Sequence, residues 1–476
     1  MSHIFHHSII RAYDIRGVYQ KTLKEEDAYA VGKAFASFLY KNKKKKICVG
    51  CDGRISSPNL KRELIKGLVS SGVEVFDIGV GPTPMLYFSV YHLECDAGIM
   101  VTGSHNPKDH NGFKMALKER PFYGNDIVNL AKIAENADFI NLDEGSHKII
   151  NVENDYVKKI LADCAISKKT NSANEVKKRL KIAWDAGNGA AGDVMIKIVN
   201  QLQSDSFTLF ADIDGNFPNH HPDPTVAKNL EDLKREVIKN DCDIGIAFDG
   251  DGDRIGVIDD EGEIIWGDQL MVFFAREVLK KNPLSTIIAD VKASKVLFDE
   301  IYKAGGKSMM WKTGHSLVKA KMQETNSPLA GEMSGHIFFA DTYLSHKNHG
   351  YDDALYAAIR IINILASSDI KLSQMRKELP QTFSTPEIRI ECDDEKKFSI
   401  VDEIKKSLND LSINFNDVDG IRATNDKGWW LIRASNTQPV LVARCESDSQ
   451  KNLEILKSDL RNILLGCKVS IPGELK

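Results

Sequence analysis

The feature of this sequence that most limits its fold is a short apolar strand that ends in an aspartate and recurs along the chain. It precedes Asp52, Asp185, Asp249 and Asp290, and each time a polar or glycine-rich turn or a helical pattern follows. Alternation of apolar strands with helices is typical of α/β proteins whose sheets are covered by helices. Because Asp52, Asp185 and Asp290 recur at domain-sized intervals, the pattern predicts three related α/β units.

The pattern stops near Asp369, which predicts a separate α+β domain at the end of the chain. With 476 residues, the length of the chain suggests about three domains of ordinary size and also allows two or four. The expected division is α/β domain I over 1–152, α/β domain II over 153–259, α/β domain III over 260–369 and α+β domain IV over 370–476.

Composition narrows the class of protein. The 63 Lys and Arg residues nearly balance 67 Asp and Glu residues, for a net charge of −4, so no basic surface for nucleic acid is indicated. A hydrophobic fraction of 42% can supply several buried cores. Without a signal peptide, a membrane-length apolar run or a dense cysteine framework, we expect a cytoplasmic protein with no membrane partner. No sequence feature indicates an obligate protein partner.

The strongest chemical signal is the acidic loop DGDGDR, which follows an apolar strand. Asp249, Asp251 and Asp253 alternate with glycines, so their carboxylates can converge on one hard cation such as Mg²⁺ or Ca²⁺. Without a cation, the three charges would repel one another. An EF-hand would place Asp260 at its twelfth position, but it also needs glycine at the sixth, where Arg254 stands.

Three further loops carry groups suited to a phosphorylated sugar. Ser104 follows the predicted strand 97–101 and is a candidate nucleophile, although serine is also common in ordinary turns. Segment 433–439 combines a guanidinium with hydroxyls and amides, which suits a phosphate dianion. Segment 331–336 places acceptors and donors between glycines and suits sugar hydroxyls. Taken singly, each of these segments is equally compatible with an ordinary turn.

Taken together and in this order, the motifs resemble those of the α-D-phosphohexomutase family. They are YDIRG at 13–17, TGSHNP at 102–107, NGFK at 111–114, DGDGDR at 249–254, TGHS at 313–316, GEMSGH at 331–336 and RASNTQP at 433–439. Met333 is more similar to the glucose/mannose branch of bacterial members than to the glucosamine branch. The resemblance covers nearly the whole chain and implies four domains around one central cleft, three of them related α/β domains with mixed sheets.

The resemblance implies an isomerase that moves a phosphoryl group between O1 and O6 of a mannose or glucose phosphate. Ser104 would be the phosphorylated nucleophile. A hexose 1,6-bisphosphate would form as intermediate and activator, turn over in the cleft and return its other phosphate to Ser104. One Mg²⁺, bound by the three aspartates of the acidic loop and a phosphoserine oxygen, would offset charge on the transferring group.

The resemblance also implies roles for residues around these loops. Arg16 and Lys114 would lie close to the reacting phosphate, and Arg254 follows the acidic loop. His336, Lys114 and His105 are the candidates for proton transfer, and sequence does not rank them. The implied substrate-binding residues are Tyr13, Lys292, His315, Glu332, Ser334, Arg433, Ser435, Asn436 and Thr437. Within this set, Glu332 and Ser334 would bind sugar hydroxyls, and residues 433–437 would hold the phosphate that is not reacting.

Other functions compete with this one. A Mg²⁺-dependent sugar phosphatase would release inorganic phosphate, and a non-catalytic phosphosugar-binding or calcium-binding protein would not need Ser104. A phosphoglucosamine mutase is the alternative within the family. Fold alone does not separate these functions, but the co-occurrence of a nucleophile, a metal loop, a sugar loop and a phosphate loop favours the hexose mutase.

Overall fold

The computed structural model describes residues 2–168, 179–341, 350–410, 413–436 and 438–475. Short 3₁₀ helices within these ranges are His7–Ile9, Leu161–Asp163, Ala227–Leu230 and Gly473–Leu475. No helix in the described ranges is long and apolar enough to cross a bilayer.

Domain I contains a mixed sheet. Its strands are β1 (Ile15–Val18), β2 (Lys46–Cys51), β3 (Glu74–Val80), β4 (Ala97–Val101), β5 (His110–Leu117) and β6 (Ser146–Ile149). Its helices are α1 (Glu25–Lys41), α2 (Ser57–Val69), α3 (Thr83–His92) and α4 (Asn125–Glu135). The sheet order is β1-β5-β4-β2-β3-β6. Strand β5 is antiparallel to both of its neighbours, whereas β4, β2, β3 and β6 are parallel.

Domain II follows the same plan. Its helices are α5 (Glu153–Ile160), α6 (Gly192–Val199) and α7 (Glu231–Lys239), and its strands are β7 (Lys181–Asp185), β8 (Asp205–Leu209), β9 (Ile244–Phe248), β10 (Ile255–Asp259) and β11 (Ile264–Ile265). The sheet order is β11-β10-β9-β7-β8. Strands β9, β7 and β8 are parallel, and β10 returns antiparallel to β9.

Domain III repeats the plan again. Its helices are α8 (Gly267–Lys281), α9 (Lys295–Lys303), α10 (His315–Thr325) and α11 (Ala354–Ala366), and its strands are β12 (Thr286–Asp290), β13 (Lys307–Trp311), β14 (Leu329–Gly331), β15 (Ile337–Phe339) and β16 (Tyr351–Asp352). The sheet order is β13-β12-β14-β15-β16, with β13, β12 and β14 parallel and β15 antiparallel.

The three sheets therefore share one arrangement, in which three parallel strands are followed by an antiparallel one. The shared orders are β3-β2-β4-β5, β8-β7-β9-β10 and β13-β12-β14-β15. The second strand in each of these orders, β2, β7 or β12, ends at or directly before Asp52, Asp185 or Asp290. The predicted repeat of α/β units is confirmed.

Domain IV is built differently. After the short helix α12 (Leu372–Lys377) come helices α13 (Lys397–Asp410) and α14 (Gln450–Gly466). The strands are β17 (Phe383–Ser384), β18 (Ile388–Glu391), β19 (Phe415–Asn416), β20 (Ile421–Asn425), β21 (Gly428–Ala434) and β22 (Val440–Ser447). All strand pairs in its described residues are antiparallel. Helix α12 falls in the predicted range of domain IV but contacts domain II, since Arg376 Nε donates to Asp259 Oδ2 at 2.7 Å. The four domain limits stay predictions.

The apolar cores show how the domains associate. One continuous core joins domains I, II and III, with Leu86, Trp184 and Phe274 among its fully buried members. Domain IV has a core of its own and meets domain III through a small cluster that includes Trp429 and Val291. Domains I to III therefore pack as one body, on which domain IV is docked.

Candidate active site

The predicted functional loops lie at equivalent places in the three related sheets. Each loop leaves the third parallel strand and returns on the antiparallel strand. Ser104 lies between β4 and β5, Asp249 follows β9, and Glu332 lies between β14 and β15. The carboxyl ends of parallel strands are where α/β proteins place ligand-binding groups, so the repeat brings three functional loops to corresponding sheet edges.

Ser104 is almost fully buried, with 1% of its surface exposed. Its backbone has a φ of +50°, a conformation that non-glycine residues adopt mainly where a turn or a functional site requires it. Its Oγ donates to Asp249 Oδ2 at 3.1 Å and lies 3.2 Å from His105 Nδ1. Burial, helped by the charge of Arg254, holds the pKa of His105 well below its ordinary value. The serine hydroxyl thus faces the acidic loop beside a neutral imidazole.

A buried ion pair that sequence patterns did not identify as part of the site holds the serine loop from behind. Arg54 donates hydrogen bonds to backbone carbonyls of Ser104, Asn106, Pro107 and His110. Asp52 Oδ2 accepts from Arg54 Nε at 3.1 Å and from Gly103 N at 3.0 Å. The only sequence signal for this pair was the place of Asp52 at the end of a recurring strand.

The acidic loop has the properties of a cation site. Asp249, Asp251 and Asp253 are fully buried, and one carboxylate oxygen of each lies within 4.8 Å of the others. Oδ1 of Asp251 and Oδ1 of Asp253 have no hydrogen-bond partner among the described residues. Burial, together with the charges of Asp253 and Asp251, raises the pKa of Asp249 well above its ordinary value. Buried acceptors without partners fit a hard divalent cation.

The surroundings of the acidic loop exclude the EF-hand alternative. The loop joins two antiparallel strands, β9 and β10, where an EF-hand would have two helices. Asp260 accepts hydrogen bonds from Ser373 N at 2.9 Å and Ser373 Oγ at 3.1 Å instead of turning into the loop. Gly250 allows the loop to approach the nucleophile, because a Cβ at this position would lie 2.4 Å from Ser104 O.

Lys114 lies across the acidic loop. Its Nζ donates to Asp251 Oδ2 at 2.7 Å and to Asp253 Oδ2 at 2.5 Å. Burial alone would lower the pKa of Lys114, but the charges of Asp251 and Asp253 raise it above its ordinary value. The same ammonium overcomes the effect of burial on Asp251 and lowers the pKa of that carboxyl. Lys114 therefore adds a positive charge beside the cation site.

Two arginines lie on other sides of the serine loop. Arg16 donates from Nη1 to Asn106 Oδ1 at 3.0 Å and from Nη2 to Asp14. Arg254 Nε lies 4.0 Å from Asp249 Oδ2 and donates to His336 Nε2 at 2.9 Å. Together with Lys114, these side chains give the region around Ser104 three cationic groups, which suits a phosphate.

A row of aromatic rings leads away from the serine. His336 and His315 stack with ring centroids 5.8 Å apart, and His315 meets Tyr13 edge-on at 6.0 Å. Burial and the charge of Lys319 hold the pKa of His315 well below its ordinary value. Aromatic rings therefore line the path between the serine loop and the loops of domains III and IV.

The GEMSGH loop presents a paired acceptor and hydroxyl. Glu332 Oε1 accepts from Gly314 N at 2.5 Å, and Ser334 Oγ donates to Glu332 Oε2 at 3.3 Å. Gly314 has a φ of +133°, and a Cβ there would lie 2.6 Å from the Tyr13 ring. A glycine is therefore required for this segment to pass Tyr13 and bind the buried Glu332 carboxylate.

Arg433 has a buried hydrogen-bond donor that no described residue accepts. Its Nε donates to Asp419 Oδ2 at 2.9 Å, whereas its buried Nη2 has no hydrogen-bond partner among the described residues. Burying a guanidinium N–H without an acceptor is costly. An oxyanion of a ligand would satisfy it.

The rest of the domain IV loop contacts domain I. Asn436 Nδ2 donates to Tyr13 Oη at 2.5 Å, and Tyr13 Oη donates to Thr313 O at 3.1 Å. Ser435 Oγ accepts from Gln438 N at 3.2 Å. Thr437 lies outside the described residues. Tyr13 therefore joins domains I, III and IV at one point.

Lys292 forms a second link between domains III and IV. Its Nζ donates to Glu387 Oε2 at 3.1 Å and lies 3.8 Å from Asp290 Oδ2. The Lys292 charge lowers the pKa of Glu387 to about 2. Glu387 and Asp419 are two charged partners of predicted site residues that the sequence analysis missed.

Contacts run without a break from the nucleophile to domain IV. The path passes through Ser104, Asp249, Arg254, His336, His315, Tyr13 and Asn436. The fold and this site define an α/β enzyme with an acidic cation site, a buried serine and polar groups suited to phosphate and sugar hydroxyls.

Comparison with family models places the chain within this class. Four models match, described as phosphoglucomutase/phosphomannomutase alpha/beta/alpha domain I over residues 7–140, domain II over 154–262, domain III over 266–383 and the C-terminal domain over 387–463. The chain belongs to the phosphoglucomutase/phosphomannomutase family. The resemblance to α-D-phosphohexomutases and the predicted four-domain fold are confirmed.

Individual relatives are similar to this chain over nearly its whole length. A phosphomannomutase/phosphoglucomutase of Pseudomonas putida is 43% identical, with 96% of each chain covered. A phosphoglucomutase of Neisseria meningitidis is 39% identical, again with 96% of each chain covered. The crystal structure of a phosphoglucomutase/phosphomannomutase family protein from Burkholderia thailandensis is 40% identical and superimposes with a TM-score of 0.88 over 99% of each chain.

Proposed function

We propose that the protein is a phosphohexomutase that interconverts the 1-phosphate and 6-phosphate of mannose and glucose. The observation that carries this proposal is the buried Ser104 hydroxyl, 3.1 Å from Asp249 Oδ2 in a group of three carboxylates, two of which, Asp251 and Asp253, have an oxygen without a hydrogen-bond partner among the described residues. Relatives named for both sugars at about 40% identity support the choice of sugars.

In this proposal Ser104 carries a phosphoryl group between turnovers. A sugar hydroxyl attacks the phosphorus as the bond to Ser104 Oγ breaks, which gives a hexose 1,6-bisphosphate. The bisphosphate turns over, and its other phosphate returns to Ser104. Arg16, Lys114 and Arg254 offset the negative charge at this end of the site.

A divalent cation fits the acidic loop. Asp249, Asp251 and Asp253, together with a phosphoserine oxygen, would hold one Mg²⁺. When bound, the ion stabilises negative charge on the transferring phosphoryl group. The protein's own contribution is the burial that keeps the three carboxylates together and the Lys114 ammonium that partly offsets their repulsion.

The sugar and the second phosphate lie at the far end of the path in this proposal. Glu332 and Ser334 bind sugar hydroxyls, and Nη2 of Arg433 binds the phosphate that is not reacting. The remaining groups proposed to contact substrate are Tyr13, Lys292, His315, Ser435, Asn436 and Thr437.

Arg433→Ala is expected to raise KM by about 10- to 100-fold, because a charge-assisted hydrogen bond to the distant phosphate is lost. The bisphosphate should also escape more often during turnover, which is measured as free hexose 1,6-bisphosphate in the reaction. Arg461→Ala is the matched control, since that guanidinium lies on α14 and donates to Ser458 Oγ at 3.2 Å, away from the proposed site. An Arg433→Ala protein with unchanged KM and no escape of bisphosphate would contradict the phosphate-binding role.

The sugar preference is tested by comparing kcat/KM for the 1-phosphates of mannose, glucose and glucosamine, with Mg²⁺ and a trace of glucose 1,6-bisphosphate. We expect turnover of both mannose and glucose phosphates, with glucosamine 1-phosphate slower by roughly tenfold or more. Faster turnover of glucosamine 1-phosphate than of the other two would assign the chain to phosphoglucosamine chemistry.

A further inference from the structure

A buried carboxylate stands behind His336 that neither the sequence motifs nor the proposed function uses. Asp352 ends β16 and is fully buried. Its Oδ1 accepts from Lys319 Nζ at 2.9 Å. Its Oδ2 lies 3.0 Å from His336 Nδ1, a close electrostatic contact without the alignment of a full hydrogen bond. The next acidic atom from Nδ1 is Asp253 Oδ1 at 3.6 Å.

The contact of His336 with Arg254 determines where the imidazole carries its hydrogen. Arg254 Nε donates to His336 Nε2 at 2.9 Å, and a guanidinium nitrogen is always a donor. His336 Nε2 must therefore be the acceptor. The hydrogen of the neutral imidazole is then on Nδ1, between the carboxylates of Asp352 and Asp253.

This tautomer also excludes a metal ion bound to His336 Nδ1. Atoms of Asp253, His336 and Asp352 lie within 4.8 Å of one another, as metal ligands would. A metal on Nδ1 would need the lone pair there, which would move the hydrogen to Nε2. That hydrogen would face the N–H of Arg254, donor against donor. The group is therefore arranged to hold a proton.

We propose that Asp352 is a positioning residue, which holds His336 with its hydrogen on Nδ1 so that Nε2 is the base for the attacking sugar hydroxyl, and that Arg254 covers Nε2 until phosphate binds. The proposal rests on the proposed function. A phosphate on Ser104 would attract Arg254 away from His336 Nε2. Arg254 Nε is already only 4.0 Å from Asp249 Oδ2, the acceptor of the Ser104 hydroxyl. A phosphoryl group on Ser104 brings a dianion to that place.

The proposed step moves one phosphoryl group and one proton. The sugar hydroxyl gives its proton to His336 Nε2, its oxygen forms a bond to phosphorus, and the bond between phosphorus and Ser104 Oγ breaks. The proton on Nε2 then passes to Ser104 Oγ. Asp352 stays ionised throughout and stabilises the imidazolium, with Lys319 on its other oxygen.

The tautomer of His336 is measured by ¹⁵N NMR on the unaltered full-length protein in Mg²⁺ buffer. All thirteen histidines are labelled, and the His336 signals are identified by their loss in His336→Gln. We expect a protonated Nδ1 and an unprotonated Nε2. A protonated Nε2 in the neutral ring would overturn the proposal, whether or not the protein proves to be a mutase.

Steady-state kinetics of an Asp352 variant test whether this carboxylate contributes to turnover. Asp352→Asn is expected to lower kcat by about 100-fold or more with KM within about threefold of the unaltered enzyme, since the base is misaligned but the substrate contacts remain. Asp353→Asn is the matched control, because this neighbouring buried carboxylate caps α11 and accepts from Tyr156 Oη at 2.8 Å. Its kcat should be unchanged.

The two proposals fail in different ways. An unaltered protein without mutase turnover would contradict the proposed function. An active unaltered protein whose Asp352→Asn variant keeps its kcat would overturn the role of Asp352. If Asp352→Asn does not fold, the tautomer measured on the unaltered protein decides.

Discussion

Replacing Ser104 by alanine is expected to lower kcat by roughly 10⁴-fold or more, because the variant lacks the protein atom that the proposed reaction phosphorylates. Binding of hexose phosphate should remain, since the groups around Arg433 and Glu332 are untouched. Turnover is followed as hexose 6-phosphate formed from the 1-phosphate. Mass spectrometry after incubation with glucose 1,6-bisphosphate should find a phosphoryl group on the Ser104 peptide of the unaltered protein and none in the variant.

Ser89→Ala provides the matched control for this variant. Ser89 is also a fully buried serine, but its Oγ donates to Met85 O within its own helix. We expect normal turnover and normal labelling of Ser104 in this protein. Retained turnover in Ser104→Ala would rule out a phosphoserine mechanism, and a phosphoryl group on another residue would relocate the nucleophile.

Asp251→Asn is expected to raise the Mg²⁺ concentration needed for half-maximal activity by roughly 10- to 100-fold, with a lower kcat at saturation. The amide keeps an oxygen for Thr83 Oγ1, which donates to Asp251 Oδ2 at 2.5 Å. The variant removes one negative charge and leaves Lys114 with a single carboxylate partner. The measurement is a Mg²⁺ titration of the initial rate, repeated after treatment of the enzyme with a chelator.

Asp260→Asn controls for the loss of a carboxylate near the same strands. Asp260 accepts hydrogen bonds from Ser373 and not from the acidic loop. The Mg²⁺ dependence of activity in Asp260→Asn should therefore match that of the unaltered enzyme. Full activity of Asp251→Asn at low Mg²⁺ would contradict the assignment of the acidic loop as the cation site.

The parts of the fold that were predictable from sequence are those encoded by local patterns. The strands before Asp52, Asp185 and Asp290 could be recognised because each is a short apolar run with a polar end, and burial of that run requires helices on the sheet. Their repetition then predicted related domains. The place where helix α12 packs was not predictable, because it depends on Asp259 and Asp260, more than a hundred positions earlier in the chain.

The candidate site also contains residues that sequence patterns identify and residues that they do not. Ser104 and the acidic loop stand out because unusual residue types lie close together in sequence. Arg54 and Asp352 were missed because each acts on segments that only the tertiary fold brings near. Arg54 contacts carbonyls about fifty positions away, and Asp352 pairs with Lys319 across 33 positions. A lone arginine or aspartate carries no sequence signal for such a contact.

The central claim is tested most directly by ³¹P NMR of the protein with Mg²⁺, mannose 1-phosphate and a trace of glucose 1,6-bisphosphate. We expect the 6-phosphate resonance to grow at the expense of the 1-phosphate resonance, with total ester phosphate conserved. Growth of inorganic phosphate in place of the 6-phosphate would contradict the account and assign the chain to hydrolysis of sugar phosphates.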